Sequence, residues 1–217
     1  IYLENHDQPR SVSRFGSIEY WKESSKLLVT LLLTLKGTPF IFEGEEIGMT
    51  NFDFVSMDEV EDVESKNIYK ILSSVHVPKG IKWKMIKNTS RDNARTPMQW
   101  NNKNGAGFTT GKPWLGINKN KDRINVEMEE RDRDSILSYY KTLIAFRKKS
   151  EDLMEGDYKL IENGRDVTEY KRGGLSIILN HSDKEIKREI GGEILLSTEN
   201  ERKEGVLKPW EAIIVRK

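Results

Sequence analysis

Asn5, His6, Asp7, Gln8 and Arg10 put amide, imidazole, carboxylate and guanidinium groups into one six-residue stretch. The chemistry open to such a set is to hold and orient a polar substrate through positioned contacts. The apolar Ile1-Tyr2-Leu3 runs straight into it, and Pro9 then removes a backbone donor and blocks any regular ladder. A buried strand delivering polar groups at its C-terminal end has this profile. In a βα-barrel enzyme that position carries catalytic residues. A strand closing in a capped turn has the same profile, since Asn and Asp are ordinary turn formers.

Longer words separate the two readings. Asn5-His6-Asp7-Gln8-Pro9-Arg10 resembles the fourth signature region of the alpha-amylase superfamily of glycoside hydrolases, in its oligo-1,6-glucosidase and alpha-glucosidase branch. Lys36 to Asn51 (KGTPFIFEGEEIGMTN) and Ser90 to Trp100 (SRDNARTPMQW) resemble the same branch, in the same order. The resemblance covers most of the chain and thins after about Asp157.

The resemblance implies an α/β plus all-β fold: the C-terminal part of a (β/α)8 barrel, strands seven and eight with their helices, followed by a small antiparallel β-sandwich domain. The boundary is expected between residues 154 and 155. Ile1-Tyr2-Leu3 is then strand seven. A whole barrel needs roughly 250 residues, so the 217-residue chain reads as the C-terminal piece of a longer enzyme, its missing N-terminal part being its first partner.

Retaining glycoside hydrolysis needs a carboxylate nucleophile and a carboxylic acid about 5 Å apart. The resemblance places both on strands four and five, outside this sequence. Asp7 matches the family's third acid, a transition-state stabiliser that binds and distorts the sugar. His6 matches an orienter of the same sugar, and Arg10 is expected to project toward the leaving sugar. Glu64 matches a position beside the second sugar. One of Arg91 and Arg95 is expected at the terminal glucose. Arg91 is preferred, pointing toward Asp7, because Arg95 precedes Thr96-Pro97 and reads as a tie within its own loop. Glu43, Glu45 and Glu46 are consecutive around a glycine, which argues against a catalytic pair across a pocket, and the resemblance implies that the segment is a structural shoulder. The implied activity is removal of terminal alpha-linked glucose from short oligosaccharides. Trehalose-6-phosphate hydrolase, sucrose isomerase, trehalose synthase and a noncatalytic scaffold are the alternatives.

Composition fits these expectations. Lys and Arg number 36 against 35 Asp and Glu, a net charge of +1, which supplies no electrostatic reason for a nucleic-acid or anionic-membrane partner. Mean hydropathy is -0.66. The absence of cysteine excludes disulfides and thiolate metal sites and fits a reducing cytoplasm. No metal or organic cofactor is called for.

Around the motifs, apolar spacing predicts a helix from near Glu19 to Gly37, a short buried strand over Thr38–Phe42 and a helix through Tyr69 and Leu72. Residues 90–118 read as a long loop, functional by its length, with Trp100 and Trp114 as its anchors. Ile136 to Lys149 reads as the eighth barrel helix. Beyond Gly156 the apolar period drops to two, over short runs separated by turns, the signature of antiparallel strands. There Trp210 is the main residue suited to contacting carbohydrate.

Overall fold

The computed structural model describes residues 1–217 and contains seven α-helices and seven strands. The helices are α1 (Ser11–Phe15), α2 (Trp21–Thr34), α3 (Val63–Ser74), α4 (Lys79–Thr89), α5 (Val126–Arg131), α6 (Ile136–Lys149) and α7 (Glu151–Met154). The strands are β1 (Tyr158–Asn163), β2 (Val167–Arg172), β3 (Leu175–Asn180), β4 (Ile186–Lys187), β5 (Glu193–Ser197), β6 (Val206–Leu207) and β7 (Ala212–Arg216). Contacts divide the chain into two compact units. One comprises residues 1–2, 15–40 and 133–217, the other residues 3–14 and 41–132. In the first unit α2 and α6 pack on the C-terminal sheet. No helix is long and apolar enough to cross a membrane.

In the first unit the period-two pattern makes an antiparallel five-stranded sheet, ordered β1-β2-β3-β7-β5, with β4 and β6 as a separate two-stranded ribbon. Successive side chains point to opposite faces. Tyr170, Leu175, Ile177, Leu179, Ala212 and Ile214 pack against Leu27, Val29 and Leu33 of α2 and Ile136, Tyr139, Tyr140 and Leu143 of α6. Their neighbours Val167, Ile178, Ile213 and Val215 form a second layer with Leu207, Ile186 and Ile190.

Polar atoms within the helix–sheet layer are matched. The Thr30 hydroxyl bonds the Tyr139 hydroxyl at 2.8 Å, and the Thr34 hydroxyl bonds the Tyr170 hydroxyl at 2.6 Å. Two buried arginines satisfy carbonyls that the end of α2 leaves without helical partners. Arg147 donates to the carbonyls of Leu33 and Gly37, and Arg172 to those of Thr34 and Leu153. Burial lowers the pKa of both guanidinium groups.

Ile1 donates to the Thr38 carbonyl at 2.7 Å and accepts from the Phe40 N–H at 2.9 Å. One residue bonding to both neighbours of Pro39 is the hydrogen-bond pattern of a parallel pair. Neither segment is buried as expected in this chain by itself: Tyr2 is 55% and Phe40 65% exposed. Two lone segments cannot cover both their faces, as parallel sheets require. Trp210, the residue of this part of the chain most suited to contacting carbohydrate, is buried and donates its indole N–H to Asp183 at 2.6 Å.

Candidate active site

All the motif residues singled out by their chemistry lie in the second unit. Local sequence builds the turn that carries Asp7. Asn5 Oδ1 accepts the Asp7 N–H at 2.8 Å, and the Asn5 carbonyl accepts the Gln8 N–H at 3.1 Å. Asn favours this pair of bonds.

Arg95 meets Asp7 there. Its Nη2 donates to Asp7 Oδ1 at 2.5 Å and its Nε donates to the His6 carbonyl at 2.9 Å. The other oxygen, Asp7 Oδ2, lies 3.1 Å from His6 Nε2. One carboxylate thus lies between one guanidinium nitrogen and an imidazole, and the charge-assisted bond from Arg95 limits its rotation.

Arg91 takes a different partner. Its Nε and Nη2 both donate to Asp62 Oδ1, at 2.8 and 2.5 Å, while Nη1 stops 3.9 Å from Asp7 Oδ1. Its Nε also lies 3.6 Å from Glu64 Oε2. The expected directions of the two arginines are therefore corrected: Arg95, not Arg91, points into Asp7. Far from tying its own loop, Arg95 spans to a turn nearly ninety residues earlier. Bonds to Asp62 come first among the causes that raise the Arg91 pKa, with Glu64 and Asp7 adding to them. Burial opposes the charge of Asp62, but the bonds from Arg91 and Ser65 outweigh it and hold its carboxyl below the usual range.

Asp62 also stands at a helix start. It caps α3, its Oδ2 accepting the Ser65 N–H at 3.2 Å and the Ser65 hydroxyl at 2.7 Å. Asp7, Arg14, Asp62, Glu64, Met85 and Arg91 line one open cavity of about 610 Å³. Met85, with Asn88 and Thr89 on the same wall, belongs to α4, which sequence reasoning missed. That helix carries lysines among its apolar residues and shows no clear stripe. Pro78 at its start was the one usable signal.

The expectation for Arg10 is also corrected. It does not project from the loop but is fully buried. Nη1 donates to the Glu43 carbonyl at 2.5 Å and lies 3.5 Å from Glu4 Oε2, and Nη2 donates to the Ala94 carbonyl at 3.3 Å. The guanidinium lies over the Phe42 ring, 5.3 Å from its centroid. With these acceptors on both of its terminal nitrogens it binds three segments together and faces no cavity. Gly44 makes room for it. Its φ is +87°, and a Cβ there would meet Met49 Sδ at 2.4 Å and Arg10 Nη1 at 3.1 Å. The carboxylates beside it serve their own turn, Glu45 accepting the Phe42 N–H and Glu46 the Gly44 N–H.

Glu4, buried beneath this network, has its pKa raised by burial, against the opposing pull of Arg10 and Ser11. A raised folded-state pKa means that the folded chain holds the proton more tightly. The stability it contributes is complete below the ordinary glutamate pKa and is lost as pH rises through the folded value. Urea midpoints should accordingly fall from pH 5 upward in the native chain and fall less in Glu4→Gln; parallel curves would refute this.

The aromatic loop residues correct another expectation. Trp100 is 49% and Trp114 70% exposed, so neither anchors its loop. Backbone bonds hold it instead, Trp100 N–H to the Ala106 carbonyl and Val126 N–H to the Gln99 carbonyl.

Residues 1–156 match the family model for the alpha-amylase catalytic domain. The chain belongs to the alpha-amylase family. It is 42% identical over 236 residues to the oligo-1,6-glucosidase of Bacillus cereus, covering 100% of this chain and 42% of that protein. It is 40% identical to the trehalose-6-phosphate hydrolase of Escherichia coli, covering 98% and 36%. The crystal structure of isomaltulose synthase from Klebsiella sp. LX3 superimposes with a TM-score of 0.94 at 35% identity, over 100% of this chain and 42% of that one. The chain thus spans less than half the length of the relatives it matches.

Proposed function

We propose that this chain works within a longer protein as part of a retaining glycoside hydrolase that removes terminal alpha-linked glucose, through 1,6 or 1,4 bonds, from short oligosaccharides. The observation that carries this is the carboxylate of Asp7, held between Arg95 and His6 and opening on a cavity whose wall is formed by Glu64 and Arg91. Asp7 stabilises the transition state by gripping hydroxyls of the terminal glucose, and His6 orients that sugar. Arg95 holds Asp7 in place. Glu64 and Arg91 face the second sugar. The nucleophile and proton donor come from the part of the catalytic domain not contained in this chain. Ile1–Leu3 and Thr38–Phe42 are then the seventh and eighth barrel strands, α6 is the eighth helix, and residues 155–217 are a small antiparallel β-sandwich domain. The cysteine-free composition suits a cytoplasmic enzyme.

One observation favours the phosphosugar alternative: Arg14 lines the cavity. Asp7, Asp62 and Glu64 line it too and outnumber the cations Arg14 and Arg91, which supports a neutral sugar. The whole protein should hydrolyse isomaltose or maltose and p-nitrophenyl alpha-glucoside, releasing alpha-glucose first by NMR. Initial release of beta-glucose would overturn retention. The 217-residue chain alone should be inactive, since it holds only one of three acids.

A further inference from the structure

Asp62 is buried to 2% of its side chain, yet it lies under the cavity wall and makes the strongest contact that Arg91 has. Its two oxygens are divided between two tasks. Oδ2 caps α3 through Ser65, whereas Oδ1 takes both Nε and Nη2 of Arg91. The two segments are also tied in the other sense. Asp92, next to Arg91, uses Oδ2 to accept the backbone N–H groups of Glu61 and Asp62, at 2.6 and 2.8 Å. Each segment thereby supplies an aspartate to the other. The start of α3 and the turn carrying Arg91 form one clasp.

This clasp determines where the Arg91 charge stands. Asp7 Oδ1 is 3.9 Å from Arg91 Nη1, and Glu64 Oε2 is 3.6 Å from Nε, so three carboxylates surround one guanidinium. Only the buried one takes two hydrogen bonds from it. A buried acceptor engaged by a planar fork fixes the guanidinium plane, whereas exposed carboxylates are screened by water. Held there, Arg91 stands beside Glu64 and leaves Asp7 to Arg95.

We propose that Asp62 is a positioning residue that acts through Arg91 to set recognition of the second sugar ring, without touching the substrate itself. The proposal rests on the glycosidase reading above. It separates Asp62 from Asp7 by function: Asp7 serves every substrate with a terminal glucose, while Asp62 matters where a second hydroxylated ring must be seated between Glu64 and Arg91.

The test compares isomaltose, which has that second ring, with p-nitrophenyl alpha-glucoside, which lacks it, in the whole protein. Asp62→Asn should lower kcat/KM for isomaltose at least about 30-fold, chiefly through KM, and for the aryl glucoside less than about fivefold. Arg91→Gln should show the same selectivity change, and the double variant should add less than about twofold to it, because both substitutions break one interaction. Should Asp62→Asn not accumulate as folded protein, Asp62→Glu keeps the charge, displaces it by one methylene and should shift selectivity in the same direction. Equal losses on the two substrates, or losses that multiply in the double variant, would make Asp62 a helix cap only and overturn the proposal. Wild-type protein that cleaves neither substrate removes the glycosidase reading and this assignment with it.

Discussion

Asp7→Asn in the whole protein is expected to lower kcat about 10²–10⁴-fold, the loss that follows removal of one preorganised catalytic group, with little change in thermal midpoint. The argument starts from how Asp7 is held. Its carboxylate takes Arg95 on one oxygen and His6 on the other, while its backbone is set by Asn5. An amide of the same shape keeps the turn, because the Asn5 bonds involve only backbone N–H groups of residues 7 and 8. It loses the negative charge that would face a developing oxocarbenium ion. Stability is expected to change little because the Asp7 side chain is 43% exposed. Retention of more than about a tenth of the wild-type rate would remove Asp7 from the site.

The second large effect is expected at Arg95. Arg95→Lys should cost about 10²–10³-fold in kcat/KM on both isomaltose and the aryl glucoside, although charge is conserved. Arg95 uses separate nitrogens on Asp7 Oδ1 and on the His6 carbonyl, so it fixes the catalytic carboxylate relative to the backbone that carries it. An ammonium is a point charge on a flexible stem and cannot make both contacts in one plane. Misplacement of a catalytic group by about 1 Å is enough for losses of this order. Because Arg95 acts at the shared terminal-glucose end, its loss should not alter the ratio between the two substrates, which distinguishes it from Arg91. Near-native activity in Arg95→Lys would show that Asp7 is held without it.

The buried network around Arg10 explains why the site residues converge. One guanidinium joins the carbonyl of Glu43, the carbonyl of Ala94 and the carboxylate of Glu4. Ala94 immediately precedes Arg95 and Glu4 lies three residues before Asp7, so this one buried residue holds both halves of the Asp7–Arg95 pair in register. Removing one partner from a buried ion pair costs several kcal/mol, and Arg10 and Glu4 are both buried.

What the sequence by itself determined was local. The Asn5–Gln8 turn, α2 between Trp21 and Thr34, α6, and strands β1, β2, β3, β5 and β7 all follow from turn chemistry and from apolar periods of 3.6 and 2, which short-range sterics impose. The three family words were legible because each is contiguous. Tertiary structure decided which arginine meets Asp7. Arg91 opens a 3₁₀ turn and Arg95 closes it, so at three residues per turn they leave on different sides. Nothing local says which side faces a turn more than eighty residues away. Tertiary structure also decided that Arg10 is buried, that Asp62 both caps α3 and holds Arg91, and that Trp210 lies in the core while Trp114 is exposed. Each of these depends on which distant acceptors or apolar surfaces reach a side chain, and that is a property of how the segments pack and not of the residues beside it in the chain.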